Sequence, residues 1–441
     1  RDEHLKRASE VRNRARAHGH QVGVIADLQG PKIRIERFRE GRIQLEKDDH
    51  FILDAGMPAD AGTSERVGVT YKGLPADVNR GDNLLLDGGL LELWVEEVAG
   101  SEIHCRVLVG GQLASSRRIN RLGGGLSAET LGAKDLEDIK VAAEMDADYL
   151  AVSFPRTAED IHKARELLRA AGGHGGIVAK IERAEALDSL EEIIEAADVV
   201  MIARGDLGVE IGDAELPAVQ KRIISMARSM ERVVVTSTQM MQSMVESPIP
   251  TRAEVFDVAN AVIDGTDAVM LSAETAAGQY PAKVIEATDR ICIGAERQRT
   301  GRISERRMNI RFKEPDEAIA KATMYTANSL GVKAIAALTE SGTTPLRMSR
   351  IRSGIPIYAM TRHVETRRRV TLYQGVYPVS FDVTSTDHAE VNREAIDELV
   401  RRGAVRDGDL VIITKCDLVG VHGATNAMKI IRVGEHEIIK H

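Results

Sequence analysis

Aromatic side chains are scarce in this sequence: one Trp, six Phe and seven Tyr, 3% of 441 residues. So few rings cannot build the stacking platform on which single-stranded nucleic acids are held. Positive charge is not in surplus either. The 59 Lys and Arg face 67 Asp and Glu, a formal net charge of −8, which excludes a general polyanion-binding surface and makes any phosphate site a local one. Cysteine is rare, and Cys105, Cys292 and Cys416 are few, odd in number and far apart. Neither a zinc knuckle nor a disulfide framework is suggested, and a reducing cytoplasm fits. No apolar run is long enough to span a bilayer, and the basic, polar residues 1–16 lack the apolar centre of a secretion signal. Neither a nucleic acid nor a membrane is expected as a partner.

What is present is ordinary globular composition, 43% hydrophobic and 29% charged, in a chain longer than one core usually organises. Short runs rich in Val, Ile and Ala recur between helical stretches, at residues 22–26, 149–153, 177–181, 199–203, 233–237 and 268–272. Each is apolar nearly throughout, as parallel strands buried on both faces are. Each also ends in polar groups: Asp27, Ser153, Lys180 with Glu182, Arg204 with Asp206, Thr238, and Ser272 with Glu274. Polar groups gathered at the C-terminal ends of successive parallel strands describe the active face of a (β/α)8 TIM barrel. Six strands are found where closure needs about eight, so the other two are expected upstream of residue 1, in roughly 40 residues.

Residues 31–116 interrupt this rhythm with alternating patterns such as Ile33-Arg34-Ile35-Glu36 and Leu91-Glu92-Leu93-Trp94-Val95, punctuated by turn glycines. They read as a small β-barrel domain inserted in a barrel loop as a lid. Gly123-Gly124-Gly125 follow its return and read as a hinge or as a plain turn. The catalytic barrel is therefore assigned residues 1–30 and 117–297. A charged stretch at 299–313 reads as a linker. Residues 298–441 hold strands at 334–338, 356–360, 377–381, 410–414 and 429–433, alternating with helices such as 316–330 and 389–402: a C-terminal α/β domain.

Lys180 and Glu182 stand two apart at a strand end, so both point to one side. On its own this pattern is also that of a terminal salt bridge. The next strand adds Asp206 on a glycine-flanked turn, and two carboxylates from neighbouring strands suit Mg2+ or Mn2+ holding substrate oxygens. Gly205 and Gly208 let backbone N–H groups approach an anion at a helix start. Thr238 ends the following strand, where it can bind the same anion, relay a proton or simply cap a helix.

These segments resemble the pyruvate kinase family. Residues 177–187 (IVAKIERAEAL) are similar to its signature, and DLQGPKIR from Asp27, SFPR from Ser153, ARGDLGVE from Ala203, TQMM from Thr238, PTRAEV from Pro250 and LSAETAAGQYP from Leu271 agree in order. The resemblance implies phosphoryl transfer from phosphoenolpyruvate to ADP in glycolysis. Lys180 is implied as the cation beside the phosphoryl group, and Glu182 and Asp206 as ligands of Mg2+ or Mn2+. Gly205, Asp206, Thr238 and Ser153 are implied to bind substrate, and Arg34 and Arg117 to bind nucleotide phosphates, although the family usually has Lys at the Arg117 position. Asp27 is implied in a monovalent-cation site. Members that need K+ carry Glu where this chain has Lys32, so activity without added K+ is expected, unless Lys32 is only a solvated charge. In the last domain Thr339, Ser341, Gly342, Thr343 and Thr344 open a helix and offer groups to an effector phosphate, or merely cap it. The facing loop, residues 416–426, lacks the Arg and Gly-rich pattern that goes with fructose bisphosphate, which favours AMP or a sugar monophosphate. The resemblance also implies a homotetramer. A phosphoenolpyruvate or pyruvate lyase or aldolase, and a catalytically silent effector-binding subunit, are the competing assignments.

Overall fold

The computed structural model describes residues 1–31, 33–299, 312, 314–383, 385, 387–416 and 425–435. Six parallel strands lie side by side in chain order: Ile25–Asp27, Tyr149–Val152, Gly176–Ile181, Val199–Ala203, Val233–Ser237 and Ala268–Met270. The sheet curls as a barrel wall. Its side chains alternate between two cores, as a period of two demands. Leu150, Val152, Ile177, Ala179, Ile181, Val200 and Ile202 face outward and pack on Ile161, Leu168, Ile193, Ile194, Ile223 and Ile224 of the surrounding helices. Tyr149, Ala151, Val178, Val199, Met201, Val233 and Val235 face the barrel interior.

The expected strands recur with shifted ends, and the shifts have local causes. The first begins at Ile25 rather than residue 22. Just before it, the Val24 N–H donates to the Asp148 carboxylate (2.8 Å) and the Val24 carbonyl accepts from the Asp148 and Tyr149 amides, so side-chain capping replaces the ladder. The last strand ends at Met270 because the Ser272 amide turns to Glu274 Oε2, 2.6 Å away.

The insert is a six-stranded sheet in the spatial order Arg66–Gly68, His50–Asp54, Glu102–Val109, Leu91–Ala99, Asn83–Leu86, Ile119–Arg121, with a separate pair Arg42–Leu45 and Gly111–Ala114. Its sheet thus takes in Ile119–Arg121, past residue 116. The alternation at residues 91–95 marks a strand whose Leu91, Leu93 and Val95 enter a core with Phe51, Leu84, Ile103 and Val107. The alternation at residues 33–36 does not make a strand; it makes two isolated bridges, Arg34 to Arg118 and Ile35 to Val69, because its neighbours belong to different parts of the insert. Gly123, Gly124 and Gly125 all have φ between 77° and 92°. Their amides are anchored, Gly123 N–H to the Glu210 carbonyl and Gly125 N–H to the Glu185 carboxylate. A Cβ on Gly124 would fall 2.5 Å from that carboxylate and require it to shift, and the positive φ already disfavours any other residue.

The C-terminal sheet runs Val376–Ser380, Ile357–Thr361, Ala334–Leu338, Leu410–Lys415, Ala427–Arg432, parallel except for the last strand. No helix among the described residues is long and apolar enough to cross a membrane. A buried ion pair joins this domain to the barrel. Arg350, which follows the helix Thr343–Ser349, forks onto Asp267, just before the last barrel strand; the two side chains are 1% and 0% exposed. Asp267 also accepts from the Val234 and Gln374 amides, and Arg350 donates to the Arg232 carbonyl. Removing one charge of such a pair strands the other in a dry interior, at about 3–5 kcal/mol. Arg350→Met should therefore lower the stability measured by urea unfolding by that amount, and Asp267→Asn added to it should restore part of the loss; additive losses would mean the pair is not coupled.

Candidate active site

The polar residues at the strand ends converge, and Lys180 is their centre. Its Nζ lies 2.8 Å from Ser153 Oγ, 3.2 Å from Glu182 Oε1 and 3.2 Å from both carboxylate oxygens of Asp27, with its side chain only 12% exposed. Strand register brings this about. Asp27 pairs with Ala151, Val152 with Ala179 and Lys180 with Met201, so the strand ends are level. Burial pulls the Lys180 ammonium down, but Glu182 and Asp27 outweigh it and hold the amine above its ordinary range.

Glu182 is 3% exposed and accepts the Phe154 amide at 2.9 Å. Burial raises its carboxyl to about 7, with a further push from the charge of Asp206 and opposition from Lys180. Phe154 links the two carboxylates, its amide bonded to Glu182 and its ring under the Arg118 guanidinium that pairs with Asp206. They form an acidic pair from adjacent strands, one of them dry, which a divalent cation would relieve. Mg2+ commonly takes only one or two protein carboxylates and completes its shell with substrate oxygens and water. The donor set fits that habit; among the described residues no group of three or more His, Cys, Asp or Glu forms a self-sufficient metal cage.

Asp206 lies in the first turn of the helix Arg204–Ile211, and its Oδ1 is 2.5 Å from Arg118 Nη1. The Gly205 amide donates to Thr238 Oγ1 at 2.8 Å, and that hydroxyl donates to the Ser237 carbonyl at 2.7 Å. Thr238 and Gln239 have φ of 66° and 54°, unusual for residues with side chains. Arg204 holds them there, donating to both carbonyls and, through its other nitrogen, to Asp257 at 2.6 Å. Glu274, also at a strand end, faces away from this cluster and accepts the Met241 and Ser272 amides.

Two family models match the chain: "Pyruvate kinase, barrel domain" over residues 1–285 and "Pyruvate kinase, alpha/beta domain" over residues 317–431. The chain belongs to the pyruvate kinase family. Among its relatives, the pyruvate kinase II of Salmonella typhimurium is 52% identical over 436 residues, 98% of this chain and 91% of the relative. The pyruvate kinase of Haemophilus influenzae is 50% identical over 428 residues, 96% and 88% of the two chains. That of Geobacillus stearothermophilus is 40% identical over 435 residues, 97% and 73%. Pyruvate kinases are phosphotransferases, and that is the enzyme class of this chain.

Not every residue expected at the site joins the cluster. Arg34 points its guanidinium at the Ser116 carbonyl, 2.8 Å away, within the insert. Arg117 is half exposed and sits 3.4 Å from Asp87, also in the insert. Asp27, expected in a monovalent-cation site, is paired with Lys180. Lys32 lies outside the described residues, as does most of the loop at 416–426. Sequence reasoning missed Arg118 and Phe154. Arg118 is hidden by its neighbour Arg117: both precede the strand Ile119–Arg121, and no sequence pattern says which of them crosses to the barrel. Phe154, with φ of 58°, places its ring between Arg118, 4.2 Å from the centroid, and Arg183, 5.5 Å away.

Glu210 was also missed. It is 5% exposed, accepts from the Ala184 amide and Asn120, and burial raises its carboxyl to about 7. A carboxyl raised on folding binds its proton more tightly folded than unfolded, so its stabilising contribution is full below about 4.5 and is lost as pH rises toward 7, on the order of 3 kcal/mol. Glu210→Gln cannot ionise, so its melting temperature should gain on the parent's between pH 5 and pH 8. Parallel melting curves at the two pH values would contradict this placement.

Proposed function

We propose that this chain transfers the phosphoryl group of phosphoenolpyruvate to ADP with the Lys180 cluster as its catalytic centre. The observation that carries the assignment is the buried ammonium of Lys180 between Asp27, Ser153 and Glu182, with Asp206 close enough to perturb Glu182. In the reaction the bond from phosphorus to the enol oxygen breaks, the electron pair stays on that oxygen, and a terminal oxygen of ADP takes the phosphorus. A proton then reaches the methylene carbon and gives pyruvate. Such a transfer asks a protein chiefly for position and charge compensation.

Lys180 offers a fixed positive charge to the phosphoryl oxygens, and its network of acceptors keeps the long side chain from wandering. Glu182 and Asp206 would hold Mg2+ or Mn2+, which when bound supplies further charge neutralisation to the substrate oxygens. The Gly205 amide and the Thr238 hydroxyl, now bonded to each other, are the donors available to a carboxylate at the start of the helix Arg204–Ile211. Turning the Thr238 proton from the Ser237 carbonyl toward substrate is what a role in protonation requires. Ser153 orients Lys180 by accepting from it while donating to the Leu28 carbonyl. Arg34 and Arg117 serve nucleotide phosphates from the insert, acting as a lid. The barrel comprises residues 1–30 and 117–297, except that residues 117–121 run with the lid, whose sheet includes Ile119–Arg121; the lid is otherwise 31–116 and the C-terminal domain 298–441, in a cytoplasmic homotetramer. A lyase or aldolase would use the two carboxylates but not Lys180, and a silent subunit would use none of them.

Lys180→Met should cut kcat at least about 100-fold in a coupled assay of ADP-dependent pyruvate formation; near-normal turnover would sink the assignment. Lys32 stands five residues after Asp27 in sequence, where K+-dependent members carry Glu, so the same assay in K+-free buffer should keep its rate, and collapse without K+ would remove that part of the proposal.

The C-terminal domain takes a phosphorylated activator. Gly342, at φ of 86°, starts the helix Thr343–Ser349, with its amide donating to Thr339 Oγ1 and with Ser341 Oγ 2.8 Å from Thr343 Oγ1. Thr344 is buried against Thr425, 2.8 Å between hydroxyls, and belongs to the support of the loop. AMP or a sugar monophosphate should lower the half-saturating phosphoenolpyruvate concentration several-fold, fructose bisphosphate should not, and Ser341→Ala should blunt the response. Equal activation by the bisphosphate would refute the choice of ligand.

A further inference from the structure

Arg118 is bound to the carboxylate that the proposed function gives to a metal. Its Nη1 lies 2.5 Å from Asp206 Oδ1, with 27% and 28% of the two side chains exposed. The pair is therefore open to solvent and to an incoming ion, unlike the dry pair Arg350 and Asp267. The guanidinium is also fixed from below, stacked 4.2 Å from the centroid of Phe154. Phe154 in turn donates its amide to Glu182 Oε2 at 2.9 Å. One residue thus touches both arrangements: its backbone satisfies one candidate metal ligand, and its ring supports the cation that satisfies the other. The backbone of Arg118 pairs with that of Arg34 on the insert, whereas Asp206 belongs to the barrel.

We infer that Arg118 is a resident counter-ion for Asp206, which a divalent cation must displace, so that this side chain sets how tightly the site takes its metal. This rests on the assignment of Asp206 to the metal. The physical argument is competition for one carboxylate. A dication gains Asp206 only by giving up the ion pair already there, and it enters a field made less favourable by a nearby fixed positive charge. Displacement frees the guanidinium on a residue whose backbone is bridged to Arg34 of the insert. It also breaks a contact between the insert and the barrel. Arg118 is in this sense a positioning residue: it acts on the metal through Asp206.

The test is direct binding of Mn2+ to the full chain without substrate, at one fixed pH for all variants, with free Mn2+ counted by electron paramagnetic resonance. Arg118→Gln should bind Mn2+ about fivefold more tightly than the parent, the upper range of what a part-exposed ion pair is worth. Arg118→Lys should fall between the two. Arg118→Met, which keeps an apolar stem over Phe154, should tighten binding like Gln and serves if the Gln variant melts early. Asp206→Asn should bind at least tenfold more weakly and should be indifferent to the residue at 118. If Arg118→Gln and Arg118→Met bind no tighter than the parent while Asp206→Asn still weakens binding, the inference about Arg118 is overturned and the metal assignment stands. If Arg118→Gln tightens binding equally in the Asp206→Asn background, the gain does not run through Asp206 and the inference also fails. Parent-like binding by Asp206→Asn would overturn the metal assignment, and this inference with it.

Discussion

A lysine ammonium taken almost wholly out of water is the constraint around which this molecule is arranged. Desolvation works against the charge on Lys180, and Glu182 and Asp27 beside the nitrogen outweigh it, while Ser153 accepts one of its hydrogen bonds. Those partners come from three different strands, so the charge survives only if the parallel register is correct. The same crowding creates a second tension. Counting Glu182 as ionised, Asp27, Glu182 and Asp206 bring three negative charges against two positive ones from Lys180 and Arg118, a net of one negative in the bare site. A cluster left with that imbalance, dry at Glu182 and open to solvent at Asp27 and Asp206, favours arrival of a cation, and it does so without a dedicated cage.

Backbone conformation is the second support. Phe154, Thr238 and Gln239 hold positive φ at the ends of two strands, where residues with side chains are uncommon. Each is over-determined by its neighbours: Phe154 by the guanidinium groups on its ring faces and by Glu182, Thr238 and Gln239 by Arg204, which Asp257 orients. Arg204 therefore does for the backbone what Ser153 does for Lys180. Both are buried polar groups whose bonds hold a neighbour in place.

Much of this was legible from residue order. Continuous apolar runs with polar last residues are a strong signal, since strands covered on both faces read so; all six strands were found, and Asp27, Ser153, Lys180, Glu182, Asp206 and Thr238 stand at or just past the ends of five of them. The five strands of the C-terminal domain were found as well. What sequence could not convey is where a long side chain goes once two domains meet. Arg117 and Arg118 are chemically equivalent on paper, and one turns to Asp87 while the other crosses to Asp206. Residues 33–36 alternate like a strand, yet alternation states only that one side is buried, and the insert satisfies it with single bridges. Glu210 and Asp267 were invisible because burial of an acid depends on partners far away in the chain.

The manner in which the insert is attached limits how it can move. On the outgoing limb, Gly30 has φ of 64°, donates to Asp135, and lies so close to Ser153 that a Cβ would fall 2.8 Å from its own. On the returning limb, residues 123–125 are fastened to Glu185 and Glu210. The Arg118–Asp206 pair is a third tie between the same two bodies. Any swing of the insert would have to bend the chain at Gly30 and at residues 123–125 and part that pair, so the resting position of the insert is coupled to the partner that Asp206 keeps.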